Sequence, residues 1–246
     1  MRILATYNLK GGVGKTAATV NLSYLAARAG YRTLVWDLDP QGAATFYFRV
    51  KPKVKGGTKK ILGGKRSLES VVKGTDFEGL DLIPSDFSYR NMDLAISDAK
   101  KPSRQLLKLM RPLSDEYDFL FLDCAPSISV VSENIFYAAD ALLTPLIPTT
   151  LSLRSYRQIL RYFAGKGLDR MKLLPFFSMV DRRKRLHREI VENLPRENPE
   201  VLNTGIPYAS AVERMGIMRA PLGSFEARSP AAIAYRELWE EIGRRL

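Results

Sequence analysis

The chain has 246 residues, of which 46% are hydrophobic and 26% charged, a balance typical of a folded globular protein. Its net charge of +12 indicates polyanionic partners, either nucleic acid or an anionic membrane surface. Cys124 is the single cysteine, which excludes an intramolecular disulfide and any zinc or iron–sulfur site built from several thiolates of one chain. Apolar runs are too short for a spanning helix and the N-terminal segment does not resemble a signal peptide, so we expect a cytoplasmic protein with no integral membrane association.

The first predicted elements form a βαβ unit. Apolar residues predict a strand at 2–7, a helix at 15–30 that Gly30 closes, and a second strand at 32–37. Further strands are predicted at 80–83, 119–122, 141–147 and 171–180, and further helices at about 102–113, 153–165 and 229–245. The expected fold is one α/β domain over residues 1–246, a doubly wound, mostly parallel twisted sheet flanked by helices, with ligands beyond the carboxyl ends of the strands.

A glycine-rich loop, LKGGVGKTAA at 9–18, joins the first strand to the first helix. Leu9 stands where the standard phosphate loop has its first glycine, and an additional lysine, Lys10, follows it. The glycines let the backbone approach phosphate oxygens, Lys15 supplies a charge to the β and γ phosphates, and Thr16 offers a hydroxyl to Mg²⁺. The loop therefore predicts nucleotide binding.

Acidic residues follow two of the predicted strands. Asp123 ends the apolar strand FLFLD, the arrangement by which P-loop nucleoside triphosphatases hold Mg²⁺. Asp37 and Asp39 lie on one side of an extended chain at the end of the strand after the glycine loop. Asp39 is the better candidate to orient or deprotonate an attacking water. For Asp37, a structural role in capping the next turn stays equally open.

The segments LKGGVGKT, LVWDLDPQG and YDFLFLDCAPSIS together resemble the deviant Walker A ATPases of the ParA/MinD family, specifically its ParA/Soj branch of P-loop proteins. The likeness covers nearly the whole chain. It continues through LTPLIPTTLSLRS at 143–155, MVDRR at 179–183 and IPYASAVERMGIMRAP at 206–221. The resemblance implies an ATPase that uses ATP and Mg²⁺.

The resemblance also assigns roles to residues. It implies that Lys10 reaches the nucleotide of a second chain across an ATP-dependent dimer, and that residues 39–45 and 123–130 are switch segments that sense the γ phosphate. The implied catalytic residues are Lys10, Lys15 and Asp39. The implied metal-binding residues are Thr16, Asp39 and Asp123. The implied nucleotide-binding residues are Lys10, Gly11, Gly12, Val13, Gly14, Lys15, Thr16, Ala17, Met179 and Pro207.

Two positions depart from the family pattern. Ala17 replaces a second threonine, so only the backbone can contact the α phosphate there. Ala209 stands where relatives often place an asparagine near the base. Base selectivity is therefore less defined by the sequence than phosphate binding.

Positive charge is clustered in three places. Segment 49–66 has eight basic residues and no acid, and its glycines predict a mobile loop that is longer and more basic than is usual in the family. Whether it contacts DNA or a partner, or is only solvated, stays open. Two arginine clusters and Arg219 are predicted to bind DNA phosphates without sequence specificity and with a steep salt dependence. These DNA-binding candidates are Arg154, Arg157, Arg161, Arg182, Arg183, Lys184, Arg185, Arg188 and Arg219. The neighbouring His187 is predicted to be a surface residue without a catalytic role.

The family resemblance leaves alternative functions. The main hypothesis is an ATPase with weak intrinsic activity that dimerises with ATP, binds nucleoid DNA, and positions or partitions a cargo. A ParB-like or cargo-adaptor protein would stimulate its hydrolysis. The alternative is a MinD-like membrane-associated regulator, but the last helix combines an apolar stripe with Glu237, Glu240 and Glu241, which favours docking against the core. Metabolic relatives with this fold depend on several cysteines or lack the signature lysine.

Overall fold

The computed structural model describes residues 1–54, 56–98 and 102–246. Within them, eight strands form one sheet in the order β3-β4-β2-β5-β1-β6-β7-β8. Among the described strands, only β3 is antiparallel to its neighbour, β4. The strands are β1 (Arg2–Thr6), β2 (Thr33–Asp37), β3 (Lys73–Gly74), β4 (Leu80–Ile83), β5 (Phe119–Asp123), β6 (Ala141–Leu146), β7 (Leu173–Val180) and β8 (Gly205–Pro207). The mostly parallel α/β sheet predicted from the sequence is confirmed.

Helices cover both faces of this sheet. They are α1 (Lys15–Arg28), α2 (Ala43–Tyr47), α3 (Gly57–Leu62), α4 (Met92–Ser97), α5 (Gln105–Met110), α6 (Val130–Ala138), α7 (Thr150–Lys166), α8 (Arg185–Glu197), α9 (Ser210–Met218), α10 (Leu222–Phe225) and α11 (Pro230–Gly243). Buried residues of α1, α2, α9, α10 and α11 join one hydrophobic cluster, and those of α3 to α8 join the other. The sheet is therefore sandwiched between two cores, as its strands of nearly continuous apolar residues require.

The three central strands place polar groups in one row. β1, β2 and β5 are neighbours, and in their register Thr6 and Asp37 both align with Asp123. These residues are the last of their strands and are fully buried. The carboxyl ends of these strands, including Asp37 and Asp123, thus lie at the same edge of the sheet as the glycine loop that follows β1.

Some predicted boundaries are wrong. The helix expected over 102–113 is divided into a 3₁₀ turn at Pro102–Arg104, the short α5, and a second 3₁₀ turn at Arg111–Asp115. Pro112 lies at the start of this last turn, where its ring and missing N–H prevent α5 from continuing. The first helix ends as expected, with Gly30 at φ 91° just beyond it.

Segment 49–66 is not the open loop that its composition predicts. The segment contains α3, and three of its own side chains are buried: Val54, Thr58 and Ile61. The backbone N–H of Val54 donates to Asp86, and that of Thr58 donates to Ser88. The composition predicts a mobile loop because lysines and glycines predominate, but a few buried side chains are enough to pack the segment against the rest of the protein. Lys55, which belongs to the predicted cluster, lies outside the described residues.

Candidate nucleotide-binding site

The glycine loop leaves β1 and enters α1 through two left-handed residues. Gly12 has φ 70° and Gly14, the residue that precedes α1, has φ 91°. Side chains are strained in this conformation, so the loop requires glycine at both places. The backbone N–H groups that open α1 are left facing the loop, and such groups bind phosphate oxygens.

Lys15 crosses the loop. Its side chain is largely buried, and its Nζ donates a hydrogen bond to the carbonyl oxygen of Lys10 at 3.0 Å. Burial lowers the pKa of Lys15, while the nearby Asp123 acts in the opposite direction. The ammonium group is therefore held inside the loop, where a phosphate oxygen could replace the carbonyl of Lys10 as its hydrogen-bond acceptor.

Lys10 is held by its backbone rather than by its side chain. Its N–H donates to Oδ1 of the buried Asn8 at 2.9 Å, and Nδ2 of Asn8 donates to the carbonyl of Pro145 at 2.8 Å. Within the described residues, the ammonium group of Lys10 makes no hydrogen bond or ion pair. Asn8 is absent from the predicted site residues, although an asparagine between an apolar strand and a glycine loop is itself a sign of a fixed loop.

The paired acids form the polar floor of the site. Asp37 and Asp123 are opposite each other between β2 and β5, and both are completely buried. Oδ1 of Asp37 and Oδ2 of Asp123 have no hydrogen-bond partner among the described residues. Burial raises the pKa of Asp37 to about 6 and that of Asp123 well above its usual range, and each acid is raised further by a neighbouring carboxylate.

Two unpartnered carboxylate oxygens beside a threonine hydroxyl fit a hard divalent cation. Buried unpaired charge is costly, and Mg²⁺ binds such oxygens readily. Thr16 lies near enough to Asp123 to oppose the rise in the pKa of Asp123. Thr16, Asp123 and Asp37 are thus positioned to bind the ion directly or through water.

Asp39 is placed differently from Asp37. It is half-buried, its Oδ1 accepts from the N–H of Gln41, and its carbonyl accepts from the hydroxyl of Ser85 at 2.6 Å. Asp37 instead accepts from the N–H and hydroxyl of Thr45. The structure therefore gives Asp37 both a capping role and a place beside Asp123, while Asp39 keeps an accessible carboxylate.

The residues expected at the base come from β7 and β8. Met179 is half-buried with φ 52°, and the preceding Ser178 donates to the carbonyl of Val13 in the glycine loop. Pro207 ends β8 and pairs with Val180. This arrangement brings Met179 close to the glycine loop through its neighbour, and places Pro207 beside it on the next strand.

Glu241 of α11 supports this side of the site and was not recognised from the sequence. Its carboxylate is buried and accepts hydrogen bonds from both N–H groups of Asn203 and from the N–H of Thr204, just before β8. Although burial alone would raise its pKa, these donors lower the pKa of Glu241 below its usual value. The acid belongs to the interior and not to a polar outer face.

The predicted DNA-binding arginines lie on two surfaces. Those of α7 and those at and before α8 are exposed. Arg183 pairs with Asp181 and Arg185 with Glu189, so the second cluster is partly neutralised. Arg219 differs from both groups because it is half-buried, stacks on the ring of Phe46 and donates to the Phe46 carbonyl.

The position of His187 differs from the surface position that the sequence predicts. His187 is buried, and its Nδ1 accepts a hydrogen bond from the N–H of Asp181 at 3.1 Å. It faces inward on α8, one position before the exposed Arg188. A dense run of charged neighbours hid the inward face of this helix.

The last helix packs against the core as predicted. Tyr235, Leu238 and Ile242 of α11 are at most 3% exposed. The described part of the chain has no helix long and apolar enough to cross a membrane.

Comparison with known proteins identifies the group to which this arrangement belongs. A family model described as an AAA domain matches residues 1–166. The chromosome-partitioning ATPase Soj of Treponema pallidum is 30% identical over 247 residues, covering 98% of this chain and 96% of Soj. This chain belongs to the ParA/MinD group of P-loop ATPases.

Solved structures extend the comparison. Cobyrinic acid a,c-diamide synthase of Mycobacterium smegmatis, with bound ADP and magnesium, is 26% identical with a TM-score of 0.82 and covers 99% of this chain and 94% of its own. A Borrelia burgdorferi protein described as a plasmid partition protein, bound to AMPPNP, is 20% identical with a TM-score of 0.85 and covers 100% of this chain and 99% of its own. The second likeness shows the fold alone. The same fold thus occurs in a protein named as a biosynthetic enzyme and in one described as a partition protein.

Proposed function

We propose that this ParA/MinD-group protein is an ATPase that dimerises with ATP, binds DNA without sequence specificity, and positions or partitions a cargo. The observation that carries the proposal is the position of Lys15, at the start of α1, beside the strand ends of β2 and β5, where Asp37 and Asp123 are in register and each has one carboxylate oxygen without a partner among the described residues. Such a row fits a nucleoside triphosphate with Mg²⁺, and relatives were solved with ADP and magnesium or with AMPPNP.

The residues of the site divide the chemistry among them. Lys15 and the backbone of the glycine loop would bind the β and γ phosphates, and Thr16 and Asp123 would bind the metal, with Asp37 beside them. A bound Mg²⁺ would neutralise phosphate charge and orient the γ phosphate for in-line attack. Asp39, with an accessible carboxylate and a carbonyl fixed by Ser85, orients or deprotonates the attacking water.

Lys10 is the proposed contact between the two chains of the dimer. Its backbone is fixed through Asn8, while its ammonium group has no partner among the described residues of its own chain. A lysine held in this way is available to the phosphates of a nucleotide in a second chain. We infer that two copies face each other through their glycine loops when ATP is bound.

DNA binding and cargo positioning rest on charge and relatives. The net charge of +12 and the exposed arginines of α7 and the α8 region suit a phosphate backbone. The similarity to Soj of Treponema pallidum, named as a chromosome-partitioning ATPase, favours transport of a cargo over a nucleoid. A ParB-like or cargo-adaptor partner would stimulate hydrolysis in the cytoplasm and release the protein from DNA.

Filter binding tests the proposal. We would measure the affinity for a random-sequence duplex with ATP and with ADP, across a series of salt concentrations, using wild type and Asp39→Ala. Tight binding with ATP alone, strongest for Asp39→Ala and weakened steeply by salt, is expected. Equal affinity with both nucleotides, or insensitivity to salt, would refute the proposed function.

A further inference from the structure

One basic surface is not used by the site described above. Five lysines of segment 49–66 are exposed, and none of them makes an ion pair with the described residues. We call them the lysine surface, and its members are Lys51, Lys53, Lys59, Lys60 and Lys65. No acidic residue occurs within this segment. Any acid that balances its charge therefore lies outside the segment, as Asp76 does beside Arg49 and Asp86 does near Lys53.

The lysine surface differs from the arginine cluster near α8. There, Arg183 lies 2.9 Å from Asp181 and Arg185 lies 2.6 Å from Glu189. By contrast, Lys51 lies beside another cation, Lys73. Lys73 donates to the carbonyls of Lys51 and Lys53, and its pKa is lowered by burial and then by the charge of Lys51. Positive charge is thus concentrated here with less ion pairing than near α8: none of the five lysines forms an ion pair with the described residues, although Asp86 lies near Lys53.

The surface is carried by a docked scaffold. Val54, Thr58 and Ile61 are between 2% and 3% exposed, so α3 presents its lysines from a fixed base. The N–H of Val54 donates to Asp86 at 2.8 Å, and the N–H of Thr58 donates to the hydroxyl of Ser88 at 2.9 Å. Lysines on a fixed base lose less freedom on binding than lysines on a mobile loop.

A two-residue connection joins this scaffold to the hydrolytic acid. The N–H of Ser85 donates to Oγ1 of Thr45 at 2.8 Å, and its hydroxyl donates to the carbonyl of Asp39 at 2.6 Å. The next residue, Asp86, accepts from Val54 at the base of the lysine surface. A movement of segment 39–45 would therefore be passed through Ser85 and Asp86 to the lysines.

We propose that the lysine surface binds the phosphates of DNA and that its position follows the nucleotide through Ser85 and Asp86. This rests on the proposed function, and adds a contact surface on a different element from the arginines of α7 and α8. DNA is favoured over a membrane because the aliphatic side chains of the segment, Val50, Val54, Ile61 and Leu62, are buried or half-buried. The segment thus offers charge without the apolar anchor that a membrane surface takes up.

Matched charge removal tests the surface. The triple variant Lys59→Gln, Lys60→Gln, Lys65→Gln is compared with Arg104→Gln, Lys108→Gln, Arg111→Gln, which removes three exposed charges near α5. With ATP and a 30-base-pair duplex as probe, the lysine variant should bind the duplex about 10- to 100-fold more weakly. The negative slope of log K, the association constant, against log salt should become less steep by about 2 to 3. The duplex affinity of the control variant should change little, and the affinity of both variants for ADP should equal that of wild type.

The outcomes are distinct. A wild type that does not bind the duplex would refute the proposed function as well as this inference. Wild-type binding that both triple variants retain, or lose equally, would overturn the inference alone. Loss of binding to phosphatidylserine vesicles with duplex binding intact would also overturn it, in favour of a membrane contact.

A second variant tests the connection. Ser85→Ala removes the hydroxyl bonded to the Asp39 carbonyl, and the exposed Ser67→Ala serves as its control. At saturating nucleotide, Ser85→Ala should bring the ratio of duplex affinities with ATP and ADP towards one, while Ser67→Ala leaves the ratio as in wild type. An unchanged ratio in Ser85→Ala would disprove the coupling.

Discussion

Asp37 and Asp123 face each other in register across β2 and β5, each with one carboxylate oxygen that no described group satisfies. Without a cation, two adjacent buried carboxylates destabilise the folded state. The site is therefore prepared for a positively charged ligand at the expense of stability.

Asp37→Asn is expected to stabilise the ligand-free protein. Burial raises the pKa of Asp37 from 3.8 to about 6, so the folded state binds this proton more tightly than the unfolded state does. The contribution of wild-type Asp37 to stability therefore falls as pH rises from about 4 to about 6. At pH 7.5 the variant should gain on the order of 2–3 kcal/mol in the free energy of unfolding, and this gain should vanish below pH 4.

Urea denaturation at pH 7.5 and at pH 4 measures this difference. The exposed Asp98→Asn is the control and should show no gain at either pH. An Asp37→Asn variant that is less stable than wild type at pH 7.5 would show that capping of Thr45, rather than charge burial, dominates at this position.

Lys15→Ala should abolish nucleotide binding. The buried ammonium group is the cation inside the glycine loop, and alanine leaves only backbone N–H groups for the phosphates. Titration with a fluorescent ADP analogue should show an affinity reduced by about 100-fold or more, since hydrogen-bonded charge pairs of this kind are worth several kcal/mol. Normal affinity would contradict the assignment of the loop.

Lys10→Ala should separate binding from dimerisation. Its side chain has no partner within the described part of its own chain, so the affinity for ADP should stay within about threefold of wild type. A threefold change corresponds to less than about 1 kcal/mol. The ATP-dependent dimer should be lost, as measured by light scattering after size exclusion. A dimer that persists would remove Lys10 from the interface.

Asp39→Ala is predicted to bind ATP but hydrolyse it about 100-fold or more slowly, because loss of a positioned general base costs at least that much. Single-turnover measurements of phosphate release separate this effect from product release. Turnover near the wild-type rate would move the hydrolytic role to another residue, with Asp37 the first to examine.

Glu241→Ala should destabilise the region around β8. It removes the acceptor for the N–H groups of Asn203 and Thr204, at a cost of about 2–4 kcal/mol. Because hydrogen bonds lower the pKa of Glu241 despite its burial, its contribution is present above the ordinary pKa of 4.5 and is lost as pH falls below it. The difference between variant and wild type should thus be large at pH 7.5 and shrink in acid.

The neighbouring Glu240→Ala provides the matched control, since Glu240 is exposed on the same helix. Thermal denaturation of both variants should lower the melting temperature for Glu241→Ala alone. Equal shifts would indicate that loss of an acid from α11, and not the bonds to β8, is responsible.

Much of the site was readable from the sequence because its parts are contiguous. Gly12, Gly14 and Lys15 form a local pattern whose backbone demands are expressed in residue types, and Asp123 follows an apolar strand directly. The assigned roles of these residues remain predictions. Asn8 and Glu241 escaped notice because their partners, Pro145 and Asn203, lie 137 and 38 residues away.

Local patterns also misled in identifiable places. The lysines and glycines of 49–66 predicted an open loop, yet Val54 and Ile61 bury themselves against the helices that follow β4. The run of arginines around His187 predicted a surface, yet one face of α8 packs inward. In both cases sparse inward-facing residues outweighed a majority of charged neighbours, since burial is decided by what an element packs against.

The sequence by itself determined the alternation of strands and helices, the left-handed glycines of the loop and the family to which the chain belongs. These features depend on neighbouring residues and their conformational preferences. Only the tertiary structure decided that β2 and β5 are adjacent, because strand order depends on pairing between distant segments that no local pattern specifies. That adjacency sets Asp37 against Asp123 and turns two separate strand ends into one site for a cation.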